Sequence, residues 1–405
     1  MKHLMTFLPV VFAVVFNASR LAKGSVYTGS VLYPLNLPTG FSGAGLSGNP
    51  QAAAGGQVVG VGGGSGTGYQ NHAILWSGTD GSAVDLNPTN LGGITASEAY
   101  ATNGNQQVGF GYGSGTSDNA LLWNGSASSV VDLNPINLGG ITASKALGTN
   151  GNQQVGYGAG SGTGNNSHAL LWSGTAGSAV DLNPTDLGGI TGSAAFGTNG
   201  TQQVGYGYGS GTGNSDHALL WSGSAGSAVD LNPTNLNGIT TSVAWGTNGA
   251  QQVGYGLGYI SGTGDFSHAL LWSGTAGSAV DLNPTDFSGI ASSFAFGTNG
   301  TQQVGYGAGS GTGNNSHALL WSGSAGSAVD LQTLLPSSGS WTDSTAYTID
   351  DAGDVFGTAD GTYNGFTGTF AAEWSPVSVP EPASASLFVL ASLGLLARQR
   401  RGITC

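Results

Sequence analysis

The sequence predicts an all-β fold made of repeated small sheets, on three observations: a block that recurs seven times, a composition suited to tight turns, and two incomplete ends that complement each other. The block closes each time on an apolar run ending in tryptophan, at Trp76, Trp123, Trp172, Trp221, Trp272, Trp321 and Trp374, in steps of 47, 49, 49, 51, 49 and 53 residues. A period near 50 that holds several short strands marks a propeller blade or another repeat array. Gly at 75 of 405 residues and charged residues at only 7% fit short strands joined by tight turns better than helices. Hydrophobic residues at 39% suffice for a core, and the regular Trp, Leu and Val positions argue against a disordered chain.

In chain order, Met1 to Phe16 begins with Lys2 and His3 and continues as the apolar run Leu4 to Phe16, the length of a secretory h-region. Residues 1–24 are therefore expected to be a signal peptide cleaved between Ala18 and Gly24, the alternative being a buried strand. The repeat region, residues 25–375, opens with the extended segment Val26 to Asn36.

Within one copy, Ser193 to Thr198 and Gln202 to Tyr206 flank Asn199-Gly200, a hairpin signal that predicts a type I′ turn with both central residues at positive φ. The same pair recurs at Asn103-Gly104, Asn150-Gly151, Asn248-Gly249 and Asn299-Gly300. A polar loop, Gly209 to Asp216, leads to His217-Ala218-Leu219-Leu220-Trp221, a third strand apolar on both faces and suited to the middle of a sheet packed between neighbours. Ala228 to Pro233 reads as a fourth strand stopped by its proline, and Thr234 to Thr241 crosses to the next copy.

The seventh copy runs from Thr345 through Val355 to Trp374 and lacks a fourth strand, while Val26 to Asn36 is a fourth strand lacking its first three. Together they make one sheet. Such pairing closes a ring and removes its edges, so the architecture expected is a seven-bladed β-propeller closed by the N-terminal strand, with an open β-solenoid as the alternative.

All 20 acidic residues lie between Asp80 and Glu381, and of the 7 basic residues only Lys145 lies outside the first 23 and last 8 positions. This surface repels nucleic acid and anionic lipid, whose binding needs Lys and Arg to displace counterions. It suits cations or basic partners, or simply solubility. Cys405 is the only cysteine, so stability must come from the core rather than disulfides.

At Val379-Pro380-Glu381-Pro382 the composition changes, followed by the uncharged run Ala383 to Ala397 and then Arg398-Gln399-Arg400-Arg401. As a helix at ~1.5 Å per residue that run spans ~22 Å, short of a ~30 Å hydrocarbon core but extended by snorkelling arginines. Residues 376–405 resemble the PEP-CTERM sorting signal, in which a Pro-Glu-Pro motif precedes a transmembrane helix and an Arg-rich end. By the positive-inside rule Arg398, Arg400 and Arg401 would stay on the cytoplasmic side, and the resemblance implies recognition through Pro380, Glu381 and Pro382 and cleavage by an exosortase during export to the cell surface or extracellular polymer. A plain membrane anchor is the alternative.

The copies resemble the HAF repeat of bacterial extracellular proteins, through His72-Ala73-Ile74-Leu75-Trp76, Asp85-Leu86-Asn87-Pro88 with Leu91-Gly92-Gly93, and Gln106-Gln107-Val108-Gly109. Ile or Leu replaces the motif's Phe in most copies, and Asn-Pro departs from its Gly-Thr. The resemblance implies a compartment and transfers no catalytic residue.

His72, His168, His217, His268 and His317 each precede the tryptophan by four positions, and Asp85, Asp132, Asp181, Asp230, Asp281 and Asp330 recur likewise. A residue present in most copies belongs to the repeat, so these are read as hydrogen-bonding pairs and not as a proton relay. The Gly-rich loops carry no lysine and open no helix, which excludes phosphate cradling. Asp216 and Asp265 are the candidates for Ca²⁺ there, but the carboxylate spacing of a calcium loop is absent, so no metal and no cofactor is assigned. An enzyme would hide its site in the channel or in the divergent last copy near Trp341, Asp343 and Asp351. The function expected is a non-enzymatic surface or matrix scaffold contacting polysaccharide or surface proteins; the alternative is a secreted polysaccharide lyase or hydrolase, favoured by any non-repeated charged cluster in the channel.

Overall fold

The computed structural model describes residues 27–46, 51–78, 82–114, 116–260, 264–285, 287 and 289–377. The expected signal peptide, the sorting residues Pro380, Glu381, Pro382, Arg398, Arg400 and Arg401, and the run Ala383 to Ala397 lie outside these residues. The chain is all-β: helical turns among the described residues are three-residue 3₁₀ segments, and none is long and apolar enough to cross a membrane.

Each copy is an antiparallel meander. In one, Ile190–Thr198, Gln203–Gly209, His217–Trp221 and Val229–Asp230 pair in that order. Its neighbours are Ala143–Thr149 to Val180–Asp181 on one side and Ile239–Thr247 to Val280–Asp281 on the other. The latter joins the Ile290–Thr298 meander through a single parallel pairing, Ser267 with Ser292, which merges those two meanders into one eight-stranded sheet. The third strand is buried as expected, with Ala218, Leu219 and Trp221 at 0% exposure.

Two local expectations are corrected. The fourth strand is only two residues long and ends at Asp230, three positions before Pro233. Asp230, not the proline, turns the chain, because its Oδ1 accepts the Asn232 amide at 2.7 Å. In the Asn-Gly turns only glycine has positive φ, for example +98° at Gly200, so they are not type I′. Asn199 instead accepts the amides of Thr201 and Gln202 on its Oδ1, which holds the turn from the side chain.

The first strand carries a bulge at the same place in the six copies after the first, as between Ala99 and Ala101, Ala146 and Gly148, Ala195 and Gly197, Ala244 and Gly246, Ala295 and Gly297. A bulge re-aims the side chain at its centre, and five of the six such positions are aromatic: Tyr100, Phe196, Trp245, Phe296 and, in the last copy, Tyr347, with Leu147 the exception.

The core lies between sheets. Val155, Ala169, Leu171 and Leu182 of one meander pack on Ala195, Leu219 and Trp221 of the next, and equivalent clusters follow along the chain. The ends meet as the sequence expected: Tyr27–Pro34 pairs with Phe366–Pro376 in the sheet of the last copy. Tyr33, Ala53, Val58, Ile74, Trp76 and Ala371 form one cluster that joins the last copy to the first, and Thr348 Oγ1 donates to Ala53 O at 2.8 Å. This arrangement is propeller-like.

Candidate functional site

The inner strand of each meander is the first one, a point the repeat pattern left open. Thr102, Thr149, Thr198, Thr247, Thr298 and Thr348, each from a different first strand, line a central cavity of about 420 Å³ beside the Asn-Gly turns. Its throat is narrow enough to require glycine: a Cβ on Gly197 would lie 2.4 Å from Trp245 O, and one on Gly246 equally close to Phe296 O. Gln51, which does not recur, crosses this throat and donates through Nε2 to Phe196 O at 2.9 Å and Trp245 O at 3.1 Å.

From the bulges the inner wall continues toward the other end of the strands as aromatic rings. Phe196 and Trp245 are 4.1 Å apart between centroids, and Phe196 stacks on Tyr206 at 5.6 Å. Trp245 reaches Tyr255 at 6.5 Å, Tyr255 reaches Phe294 at 4.9 Å, and Phe294 stacks on Tyr306 at 5.1 Å. Phe296 then stacks on Tyr347 at 6.1 Å. All these rings are partly exposed. Burial is the main cause that raises the Tyr206 phenol to about 12, and the charge of Asp216 adds to it. Tyr157, Tyr255 and Tyr306 are raised for the same first reason, so these hydroxyls stay protonated donors at neutral pH.

Charged groups gather at this end, Glu98 and Lys145 at a position where other copies carry different residues, Asp118 and Asp216 at one shared position of the block. Lys145 Nζ lies 3.1 Å from Asp118 Oδ2 and 3.6 Å above the centre of the Phe110 ring. Glu98 accepts from Asn71 Nδ2 at 3.0 Å and from Tyr100 Oη at 3.2 Å. Asp216 precedes the third strand of its copy, and its backbone carbonyl accepts the Ser242 amide of the next copy. Partial burial raises its carboxyl above the usual range. No side chain among the described residues bonds its carboxylate. None of these residues was singled out from the sequence for this wall, Asp216 having been read only as a Ca²⁺ candidate; the usable signal was that Glu98 and Lys145 stand where other copies carry different residues.

The repeated polar residues are used as ties. His72, His168, His217, His268 and His317 each place Nδ1 2.7–2.8 Å from the aspartate thirteen positions on. Asn119 takes the same place toward Asp132 at 2.8 Å. The Asn of Asn-Pro, where the chain departs from the HAF motif, accepts from a serine of the next copy, as Asn183 does from Ser193 at 2.7 Å. That serine also receives the Ala169 amide of the preceding third strand. Each serine tie thus spans two sheets, whereas each histidine–aspartate pair stays within one.

The remaining candidates are separate. Asp265 belongs to the strand Gly264–Trp272 and not to a loop, and among the described residues no cluster of three or more His, Cys, Asp or Glu could hold a metal. In the last copy Trp341 donates to Pro336 O and lies tilted against Tyr363 at 5.7 Å between centroids, Asp343 caps the Ser316 amide, and Asp351 is exposed in the turn at the opposite end of the hairpin. They form no common site.

No protein-family model matches the sequence, and no curated protein does. Among solved structures, the β-propeller domain of the Trilobed protease from Pyrococcus furiosus is similar at 9% identity and TM-score 0.42, covering 79% of this chain and 80% of that one. A prolyl endopeptidase is similar at 13% identity and TM-score 0.49, covering 82% of this chain and 47% of its own. The polysaccharide lyase Uly1 is similar at 9% identity and TM-score 0.40, covering 87% and 97%. At TM-scores below 0.5 the likeness carries no argument, and the propeller-like description rests on the strand pairings of this chain.

Proposed function

We propose that this chain is a seven-bladed β-propeller closed by its N-terminal strand, exported and sorted through its PEP-CTERM tail, and acting as a non-enzymatic scaffold or binding module at the cell surface or in the extracellular matrix. The observation that carries the scaffold reading is the use of the repeated reactive side chains as ties: the histidines and aspartates hold one another, and the serines and asparagines hold neighbouring sheets. The ring is supported by the cluster joining Tyr33 and Ala371 to Trp76, which an open solenoid would lack. Pro380, Glu381 and Pro382 would be read by the exosortase, and a proline on either side of Glu381 keeps that stretch extended.

The enzymatic reading has one observation in its favour, the non-repeated Glu98 and Lys145. Against it, Lys145 is paired with Asp118, and burial and then Glu98 raise the Tyr100 hydroxyl above its ordinary value, which keeps it protonated at neutral pH and leaves no phenolate to act as base. The test is to incubate the full chain with the polysaccharide of its own cell surface and measure new reducing ends. The scaffold reading expects none above a heat-denatured control; sustained release overturns it.

A further inference from the structure

We propose that the aromatic wall of the inner strands, with the carboxylate of Asp216, is a binding site for a polysaccharide of uncharged sugars. This deepens the binding-module reading above and rests on it. The wall sets partly exposed aromatic rings in series from successive sheets: Tyr206 beside Phe196, Phe196 beside Trp245, Trp245 beside Tyr255. The faces of sugar rings carry polarised C–H groups, which are attracted to the negative face of an aromatic ring, and a series of faces suits a chain of such units. Few polar groups among many apolar ones is also the usual make-up of a ligand site.

Hydrogen bonding at the wall fits hydroxyls. Asp216 brings an acceptor that no side chain occupies among the described residues, beside the Tyr206 and Tyr255 phenols whose energies feel its charge. Protonated phenols donate and carboxylates accept, and a sugar hydroxyl does both. An acidic polysaccharide is disfavoured, because Glu98, Asp118 and Asp216 face it with one cation, Lys145, which already pairs with Asp118 at 3.1 Å. An organic cation is a weaker fit: a cage sets rings on several sides of a charge, whereas consecutive rings here lie within 13–34° of parallel in most pairs and share one wall.

The experiment is affinity electrophoresis of the full chain, in mild detergent, through gels containing hydroxyethyl cellulose, polygalacturonate or no polymer, with competition by tetramethylammonium and by oligolysine. Retardation by hydroxyethyl cellulose alone is expected. Tyr206→Ala with Tyr255→Ala should weaken it by at least about tenfold, and Asp216→Asn by less. Tyr255→Phe, which keeps the ring, should retain most of it, and melting temperatures close to the parent verify folding. The proposal is overturned if the neutral glucan does not retard the protein, if the double alanine variant binds as the parent does, if polygalacturonate binds equally, or if tetramethylammonium or oligolysine displaces the glucan. Binding accompanied by depolymerisation would instead overturn the non-enzymatic reading and leave this site standing.

Discussion

Gln203 Nε2 donates to Gln153 Oε1 of the preceding sheet at 3.2 Å, while Gln203 Oε1 accepts the Gly223 amide of its own sheet at 2.8 Å. The side chain is 0% exposed, so this tie is made in the dry space between sheets. It recurs as Gln107 with Gln57, Gln154 with Gln106, Gln252 with Gln202 and Gln303 with Gln251. A threonine of the later sheet reinforces each, as Thr198 does toward Gln153. At the end of the series Tyr27 of the N-terminal strand takes over, donating to Gln302 Oε1 at 2.8 Å.

Removing one such tie should be expensive. Gln203→Ala leaves the Gly223 amide without its acceptor and deprives Gln153 Oε1 of one of its two donors, at about 1–3 kcal/mol for each buried group left unpaired. Gln203→Glu also costs stability, because a carboxylate cannot donate to Gln153 and its charge is buried. Chemical denaturation should give a lowered midpoint for both; a midpoint unchanged by Gln203→Ala would mean that the tie contributes nothing net.

The histidine positions should tolerate asparagine. Asn119 makes to Asp132 the bond that His217 makes to Asp230, at the same 2.8 Å. His217→Asn is expected to stay within about 0.5 kcal/mol of the parent, whereas His217→Ala should lose about 1 kcal/mol from the unmade bond. If asparagine were as damaging as alanine, the imidazole would have a role that pairing with Asp230 does not explain.

At high pH the wall itself should fail first. Burial raises the Tyr206 phenol from 10.0 to about 12 in the folded chain, so folding favours its protonated form. That contribution is complete below the unfolded value and is lost as pH rises from 10.0 through about 12. Asp216 is raised too, mainly by burial, so its ionised form opposes folding at neutral pH and Asp216→Asn should stabilise there. Tyrosinate absorbance followed alongside circular dichroism checks the first statement: phenols that ionise near their ordinary value without unfolding would contradict it.

What was legible in the sequence is what lies within one copy. Asp230 follows His217 by thirteen residues, and a strand, a short turn and a strand bring such positions opposite each other, so the pair could be read from periodicity. The Gln203 to Gln153 bond spans a whole repeat, and whether those residues meet depends on the rotation of one sheet against the next, which strand patterns do not encode. Phe196 and Trp245 were visible as aromatic residues before glycine, but the bulge that turns them to the inner wall needs the register of both strands. Gln51 left no signal because nothing in the repeat resembles it. The two-residue fourth strand was overread, since Val229 and Asp230 look like the start of a longer strand until Asp230 is seen to hold Asn232.

The tail carries its own prediction. Alanine at Pro380, Glu381 and Pro382 leaves the apolar run and the arginines intact, so the protein should remain unprocessed in the membrane fraction while the parent is released without residues 383–405. Mass spectrometry of the released form checks this, and recovery of Ala383 to Cys405 in it would contradict processing.

The proposed ring makes the sharpest demand on the N-terminal strand. Tyr27–Pro34 covers the outer edge of Phe366–Pro376, and Tyr33 packs with Trp76 and Ala371 where the last copy meets the first. Tyr33 also donates to Gly56 O at 2.7 Å, and Trp374 donates to Leu331 O at 2.8 Å under the same edge. Deleting residues 27–34 would unpair a full strand and expose both aromatic clusters, with each large buried side chain worth about 1.5–3 kcal/mol. Deleting the same length from a surface connection should cost far less. Because the strand lies next to the junction, the truncated ring should also become susceptible to proteolysis between the last and first copies before elsewhere. In an open stack the same deletion trims a terminal cap, so a truncated protein that melts close to the parent and is cut at no preferred junction would exclude the closed ring.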